Sequence, residues 1–194
     1  SNPEALRKCW ESGGATLAAG VQNLTEDLQR GRISMTDESA FEVGRNLALT
    51  PGAVVFENEL IQLIQYRPAT PQVHARPVVL VPPAINKFYI MDLQPDNSFV
   101  RWAIEQGQTV FLVSWRNVGE AQQHLTWDDY LEDGVIKAIE VARSISKSEQ
   151  VNLLGFCVGG TIAGCALAVM AARAQKWVAS LTLMTAMLEF SDVG

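Results

Sequence analysis

The chain has 194 residues, 48% hydrophobic and 19% charged, a balance that gives a sizeable core and argues against disorder. Its net charge of −6 and pI near 4.9 argue against nucleic acid as the main partner, while a few local cations would still hold an anionic ligand. The longest apolar run, Thr161 to Ala172, is broken by Gly164 and closed by Arg173, well short of the ~20 residues that span a bilayer, so no transmembrane segment is expected.

Residues 1–50 read as a helical N-terminal region. Leu17, Val21, Leu24 and Leu28 fall on one stripe at helical spacing, with Gly31 as a stop, and a second short helix is expected from Asp37 to Leu49. The stripe reads most simply as packing against the chain's own catalytic part. The sharper reading is a surface for a second subunit or an apolar particle.

From Pro51-Gly52 onward the pattern changes to strands. Val54–Phe56 and Leu60–Tyr66 read as a hairpin, and Val78–Val81 as a strand buried on both faces. Ser98 caps a helix running to Gln106, with Gly107 past its end. Strand Thr109–Ser114 follows. Thr126-x-x-Asp129 then resembles a capping box, opening a helix in which Val135, Ala138, Ile139 and Ala142 share a face. Strand Val151–Leu154, a helix to Ala172 and strand Val178–Leu183 complete the series.

Alternating strands and helices imply a mostly parallel sheet wound by helices, of the α/β-hydrolase type and incomplete. The expected organisation is thus residues 1–50 as a helical region and 51–194 as the first part of a catalytic domain. The start at Ser1-Asn2 without methionine fits an excised piece of a longer protein.

The chemistry centres on Leu153-Leu154-Gly155-Phe156-Cys157-Val158-Gly159-Gly160, a G-x-nucleophile-x-G pattern with a thiol in the nucleophile position. It lies between an apolar strand and an alanine-rich helix, where a sharp turn pushes the nucleophile out above the sheet. The helix start favours negative charge and offers backbone N–H groups to an oxyanion. Val158 N–H is one expected donor. The second should come from Pro82-Pro83-Ala84-Ile85; proline has no N–H, which leaves Ala84 or Ile85.

Thiol attack on a thioester is close to isoenergetic, and onward transfer to a hydroxyl runs downhill, so a cysteine here suits acyl transfer from a coenzyme A thioester to an alcohol. In a hydrolase-type chain the acid and the histidine follow the nucleophile, yet no histidine follows Cys157. His74 and His124 precede it and read as loop residues, His124 being the candidate if the order were unusual. Cys165 reads as a core thiol, and Asp128-Asp129 as charge at a helix start. Lys87 is either an anion holder or a surface ion-pair partner. Cys9, Cys157 and Cys165 form neither a C-x-x-C pair nor an even disulfide set. This points to a reducing compartment, the cytoplasm, and no metal site is expected.

Val81-Pro82-Pro83-Ala84-Ile85-Asn86-Lys87-Phe88-Tyr89-Ile90-Met91-Asp92-Leu93-Gln94-Pro95 resembles the signature loop of polyhydroxyalkanoate synthases. So do Phe111–Asn117, Thr126–Tyr130, Gly155–Gly160, Thr50–Asn58 and the closing Leu188–Gly194. Phe156 and Val158 around the cysteine resemble the class I branch, which favours short-chain substrates. The resemblance implies an α/β-hydrolase-fold polymerase that takes (R)-3-hydroxyacyl-CoA, extends a polyester and releases coenzyme A. It implies no bound cofactor, and a homodimer working on storage granules in the cytoplasm. The family's acylated cysteine maps onto Cys157. Its aspartate and histidine match no position here, so this chain alone is expected to be inactive. A cysteine hydrolase of esters or lactones and a non-catalytic docking module are the alternatives from other classes.

Overall fold

In the computed structural model, which describes residues 2–192, the chain divides between Phe41 and Glu42 into two units. Ser1, and Val193 and Gly194 of the closing motif, lie outside the described residues.

The first unit is a helical pair, α1 (Pro3–Glu11) and α2 (Ala15–Arg30). Asn2 Oδ1 accepts the Glu4 N–H at 3.0 Å, and Pro3 fills the first helical position, where its missing N–H costs nothing. Gly13 and Gly14, at φ +60° and +89°, turn the chain, and Gly31 at φ +70° closes α2. Ion pairs one turn apart, Glu4–Lys8 at 3.5 Å and Arg7–Glu11 at 3.8 Å, add a few tenths of a kcal/mol each, about 0.2–0.5. Neither helix has a buried residue, and the stripe Leu17, Val21, Leu24 and Leu28 is 56–74% exposed.

The helix expected from Asp37 to Leu49 does not form beyond a 3-10 turn at Glu38–Ala40. Asn46 Oδ1 accepts the Glu42 N–H at 2.8 Å and Gly44 N–H bonds back to Leu47 O at 2.7 Å, giving the backbone a tight turn in place of a helical ladder. Gly44 and Ala48 both have positive φ, and Ala48 N–H donates to Asp92 O at 3.0 Å.

The second unit is built on a six-stranded sheet of β1 (Gly52–Glu57), β2 (Ile61–Tyr66), β3 (Val78–Val81), β4 (Val110–Trp115), β5 (Val151–Phe156) and β6 (Val178–Met184), in the order β1-β2-β4-β3-β5-β6. The pairs β1/β2 and β2/β4 are antiparallel; β4/β3, β3/β5 and β5/β6 are parallel. The Val78–Val81 run, expected to be buried on both faces, lies in the middle of the sheet beside β4: Val79, Leu80, Val81, Val110, Phe111, Leu112 and Val113 are all fully buried. β6 is outermost, and most of its residues are exposed.

Helix α3 (Phe99–Glu105) begins at Ser98, whose hydroxyl accepts Arg101 N–H at 2.9 Å, and Gly107 past its end has φ +77°. The run after Thr126 departs from the single helix expected there. A short α4 (Trp127–Asp129) leads into a π-helical stretch, Tyr130–Ile136, before α5 (Lys137–Ser146). At its start the Thr126 N–H and hydroxyl both donate to the Asp129 carboxylate, at 2.6 and 2.8 Å, which holds the Asp129 pKa below the usual carboxylate value. Helix α6 (Val158–Ala172) packs across the sheet through Ile162, Ala163, Ala166 and Met170.

One buried polar knot ties the loop after β3 to the chain ahead of β1. Asp92, 2% exposed, accepts from Thr50 Oγ1 at 2.6 Å and Ser98 Oγ at 2.5 Å. Burial, with the Asp92 charge nearby, pushes the Tyr66 hydroxyl pKa well up, so the phenol stays protonated.

Candidate active site at the turn after the fifth strand

β3 and β5 lie side by side in parallel, with Val81 opposite Gly155, so the loop after β3 and the turn after β5 leave the sheet at the same edge. In open α/β sheets that carboxyl-end edge is where ligands bind.

Cys157 occupies the turn between β5 and α6 at φ 53°, ψ −127°, a sparsely populated conformation for a residue with a side chain. Its backbone is fixed from both directions. Cys157 N–H donates to Met184 O at 2.8 Å, and Cys157 O accepts from Gly160 N–H at 2.8 Å. The thiol is half-buried, and among the described residues it makes no hydrogen bond.

The surrounding glycines allow this close assembly. A methyl group on Gly159 would overlap the Val81 carbonyl oxygen and come within 2.6 Å of Pro82 O. One on Gly155 would lie 2.8 Å from Gly160 N, and one on Gly160 would strike Ala186 Cβ. On the far side, Thr161 Oγ1 donates to Met187 O at 2.7 Å, which lays the segment after β6 along the first turns of α6. The Cys157 turn is thereby wedged between the loop after β3 and the segment after β6.

Val158 is the first residue of α6, where backbone N–H groups lack helical acceptors. Pro83 to Asn86 form a turn closed by Asn86 N–H to Pro83 O at 3.1 Å, with Ala84 half-buried and Ile85 exposed at its centre. Among the described residues the N–H groups of Val158, Ala84 and Ile85 donate no hydrogen bond within the chain. The first turn of α6 and this loop touch through Gly159 and Pro82. Such a cradle can hold an oxyanion beside a thiol.

Among the described residues none of the other candidates is hydrogen-bonded to Cys157. His124 Nε2 lies 3.7 Å from Glu59 Oε1, both side chains being more than half exposed. The backbone of His74 bonds to Gly107 O at 2.8 Å. Lys87 is exposed, without an ion pair among the described residues. Cys165 packs half-buried against the core. Among the described residues no cluster of three or more His, Cys, Asp or Glu is placed to hold a metal ion, and no helix is long and apolar enough to cross a membrane.

A family model described as "Poly-beta-hydroxybutyrate polymerase (PhaC) N-terminus" matches residues 1–103, and one described as "alpha/beta hydrolase fold" matches residues 77–194. The chain belongs to the poly-beta-hydroxybutyrate polymerase family. The poly(3-hydroxyalkanoate) polymerase subunit PhaC of Cupriavidus necator is 62% identical over 100% of this chain and 33% of that protein. The corresponding subunit of Rhizobium meliloti is 40% identical, over 100% and 32%. The chain therefore spans about a third of the length of these curated relatives. Among solved structures, an esterase of Rhizomucor miehei aligns with TM-score 0.54 at 15% identity, covering 81% of this chain and 50% of its own, which supports the α/β-hydrolase fold of this polymerase-family segment.

Two residues that shape the site escaped the sequence reading. Trp115 ends β4 and donates its indole N–H to Pro82 O at 2.8 Å; a single tryptophan at a strand end carries no pattern that marks such a role. Gly134 packs under that indole, and a glycine inside a helical pattern was the one available sign of a close approach.

Proposed function

We propose that the polypeptide carrying this segment is a polyhydroxyalkanoate polymerase in which Cys157 is the acylated nucleophile. The observation that carries this reading is the placement of Cys157: a thiol on a strained strand-to-helix turn, next to the unbonded N–H of Val158 and joined through the Gly159–Pro82 contact to the loop of Ala84 and Ile85, in a chain of this family. The sulfur attacks the carbonyl carbon of an (R)-3-hydroxyacyl-CoA; a carbon–sulfur bond to Cys157 forms, the bond to coenzyme A breaks, and the cysteine proton leaves with the coenzyme A thiol. The hydroxyl end of the growing polyester then attacks the acyl-cysteine. A carbon–oxygen bond forms, the carbon–sulfur bond to Cys157 breaks, and the hydroxyl proton returns to the freed sulfur. Val158 N–H with Ala84 or Ile85 N–H stabilises the oxyanion in both steps. The resemblance also supports a homodimer in the cytoplasm on storage granules, with the exposed stripe of α2 as the apolar contact.

The test uses the full-length polypeptide. Cys157→Ala should abolish polymer, Cys157→Ser should slow it severely, and mass spectrometry should find the acyl group on Cys157. Polymer from the alanine variant at the wild-type rate overturns the assignment. Free hydroxyacid without polymer supports the ester or lactone hydrolase instead. The 194-residue polypeptide alone should give at most a single turnover of coenzyme A release at pH 7. Steady turnover dependent on Cys157 would point to a base within the chain, and His124 would be mutated first.

A further inference from the structure

We infer that Trp115 is a positioning residue for the acyl transfer: its indole N–H holds the Pro82 carbonyl and thereby sets the turn that presents Ala84 and Ile85 to the oxyanion. The inference rests on the proposed acyl-transfer reading and goes beyond it.

Trp115 is 7% exposed, at the end of β4, next to β3 in the sheet. A buried indole N–H has a single hydrogen to place, and here it lies 2.8 Å from Pro82 O. That oxygen belongs to the planar Pro82–Pro83 peptide, so fixing its direction fixes the plane from which Pro83 and Ala84 continue. From the other side Gly159 comes so close that a methyl group there would sit 2.6 Å from the same oxygen. Pro82 O is thus held between the indole and the first turn of α6, the turn that carries Cys157 and Val158. The two halves of the oxyanion cradle meet at this one carbonyl.

The indole is itself firmly seated. Its ring packs on Tyr130 with centroids 5.4 Å apart, and Gly134 lies so close beneath it that a methyl group would be 2.7 Å from Cζ3. Tyr130 and Gly134 both belong to the π-helical stretch, whose wide turn places them around the ring. Sequence, unusual helix and indole therefore converge on the placement of one loop.

The experiment is on the full-length polymerase. Replacing Trp115 with benzothienylalanine keeps the fused-ring shape and puts sulfur in place of the N–H, which removes the donor; Trp115→Phe is the genetic counterpart. Loss of a direct oxyanion donor costs ~100- to 1000-fold; an indirect support should cost about tenfold in kcat, with KM within about twofold. A trifluoromethyl ketone analogue of the acyl-CoA, which adds the Cys157 thiol to form a tetrahedral oxyanion, should bind about tenfold more weakly in step. A non-reactive thioether analogue should bind as before. Wild-type kcat with benzothienylalanine at position 115, or an equal loss of affinity for both analogues, overturns the inference alone. A wild-type enzyme whose polymer does not depend on Cys157 overturns the acyl-transfer reading, and this inference with it.

Discussion

The helical pair ahead of Phe41 and the sheet around Cys157 are held together in opposite ways. In α1 and α2 no residue is buried, the glycines at 13, 14, 20 and 31 have no other atoms within 4 Å of an added methyl, and the side-chain interactions are caps, one-turn ion pairs and short-range hydrogen bonds such as Gln22–Glu26 and Ser34–Asp27. Around Cys157, glycines 155, 159 and 160 are packed against backbone or side chain from other elements, and the flanking strands are buried. The contrast shows where a change of one atom matters: near Cys157 the backbone is packed tightly and carries the proposed chemistry, whereas the helical pair buries none of its apolar stripe within its own unit.

Four predictions bear on that contrast. The largest effect is expected from Gly159→Ala, whose methyl would overlap the Val81 carbonyl oxygen. It should cost about 3 kcal/mol or more in urea unfolding, and in the full-length polypeptide it should remove the proposed polymer formation. A variant within about 1 kcal/mol of wild type would break the comparison.

Next is Thr50→Val, which removes a 2.6 Å hydrogen bond to the buried Asp92 carboxylate. The expected loss is about 1–3 kcal/mol by the same measurement, and no loss would show that Asp92 is satisfied without it.

A smaller effect concerns pH. The hydrogen bond from Arg173 holds the Glu132 carboxyl below its ordinary pKa of 4.5, so its stabilisation is present above that value and is lost as pH falls through the lowered one. Both side chains are 40–47% exposed, and Glu132→Gln should therefore cost under about 1 kcal/mol at neutral pH, with the difference from wild type vanishing in acid. A difference that grew on acidification would contradict this assignment.

The smallest stability change is expected from Leu24→Asp on the 59% exposed stripe, within about 0.5 kcal/mol of wild type. For the proposed granule contact, the same variant should lower cosedimentation of the full-length protein with polyester granules. Unchanged sedimentation would remove α2 as the granule contact.

The elements written in strong local chemistry were legible from the sequence. β3, β4 and β5 announced themselves as apolar runs, α3 by Ser98 and Gly107, and the nucleophile turn by glycines on both sides of Cys157. What escaped was set by contacts distant along the chain. The helix expected across 37–49 gives way because Asn46 captures a local N–H and Ala48 is drawn to Asp92, a residue no short window contains. The π-helical stretch reads as ordinary helix until the Trp115 ring is placed on Gly134. Ala84 and Ile85 could be nominated because proline lacks an N–H, yet the carbonyl that aims them is held by a strand that arrives from elsewhere.

The backbone at Cys157 sets folding and chemistry against each other. A residue with a side chain at φ 53°, ψ −127° is disfavoured by about 1–3 kcal/mol relative to an ordinary conformation, and glycine would relieve much of that. Cys157→Gly would then be among the few substitutions near the sheet edge that raise stability. A library of variants screened for folding alone should drift toward glycine at this position, while one screened for polymer should keep the cysteine.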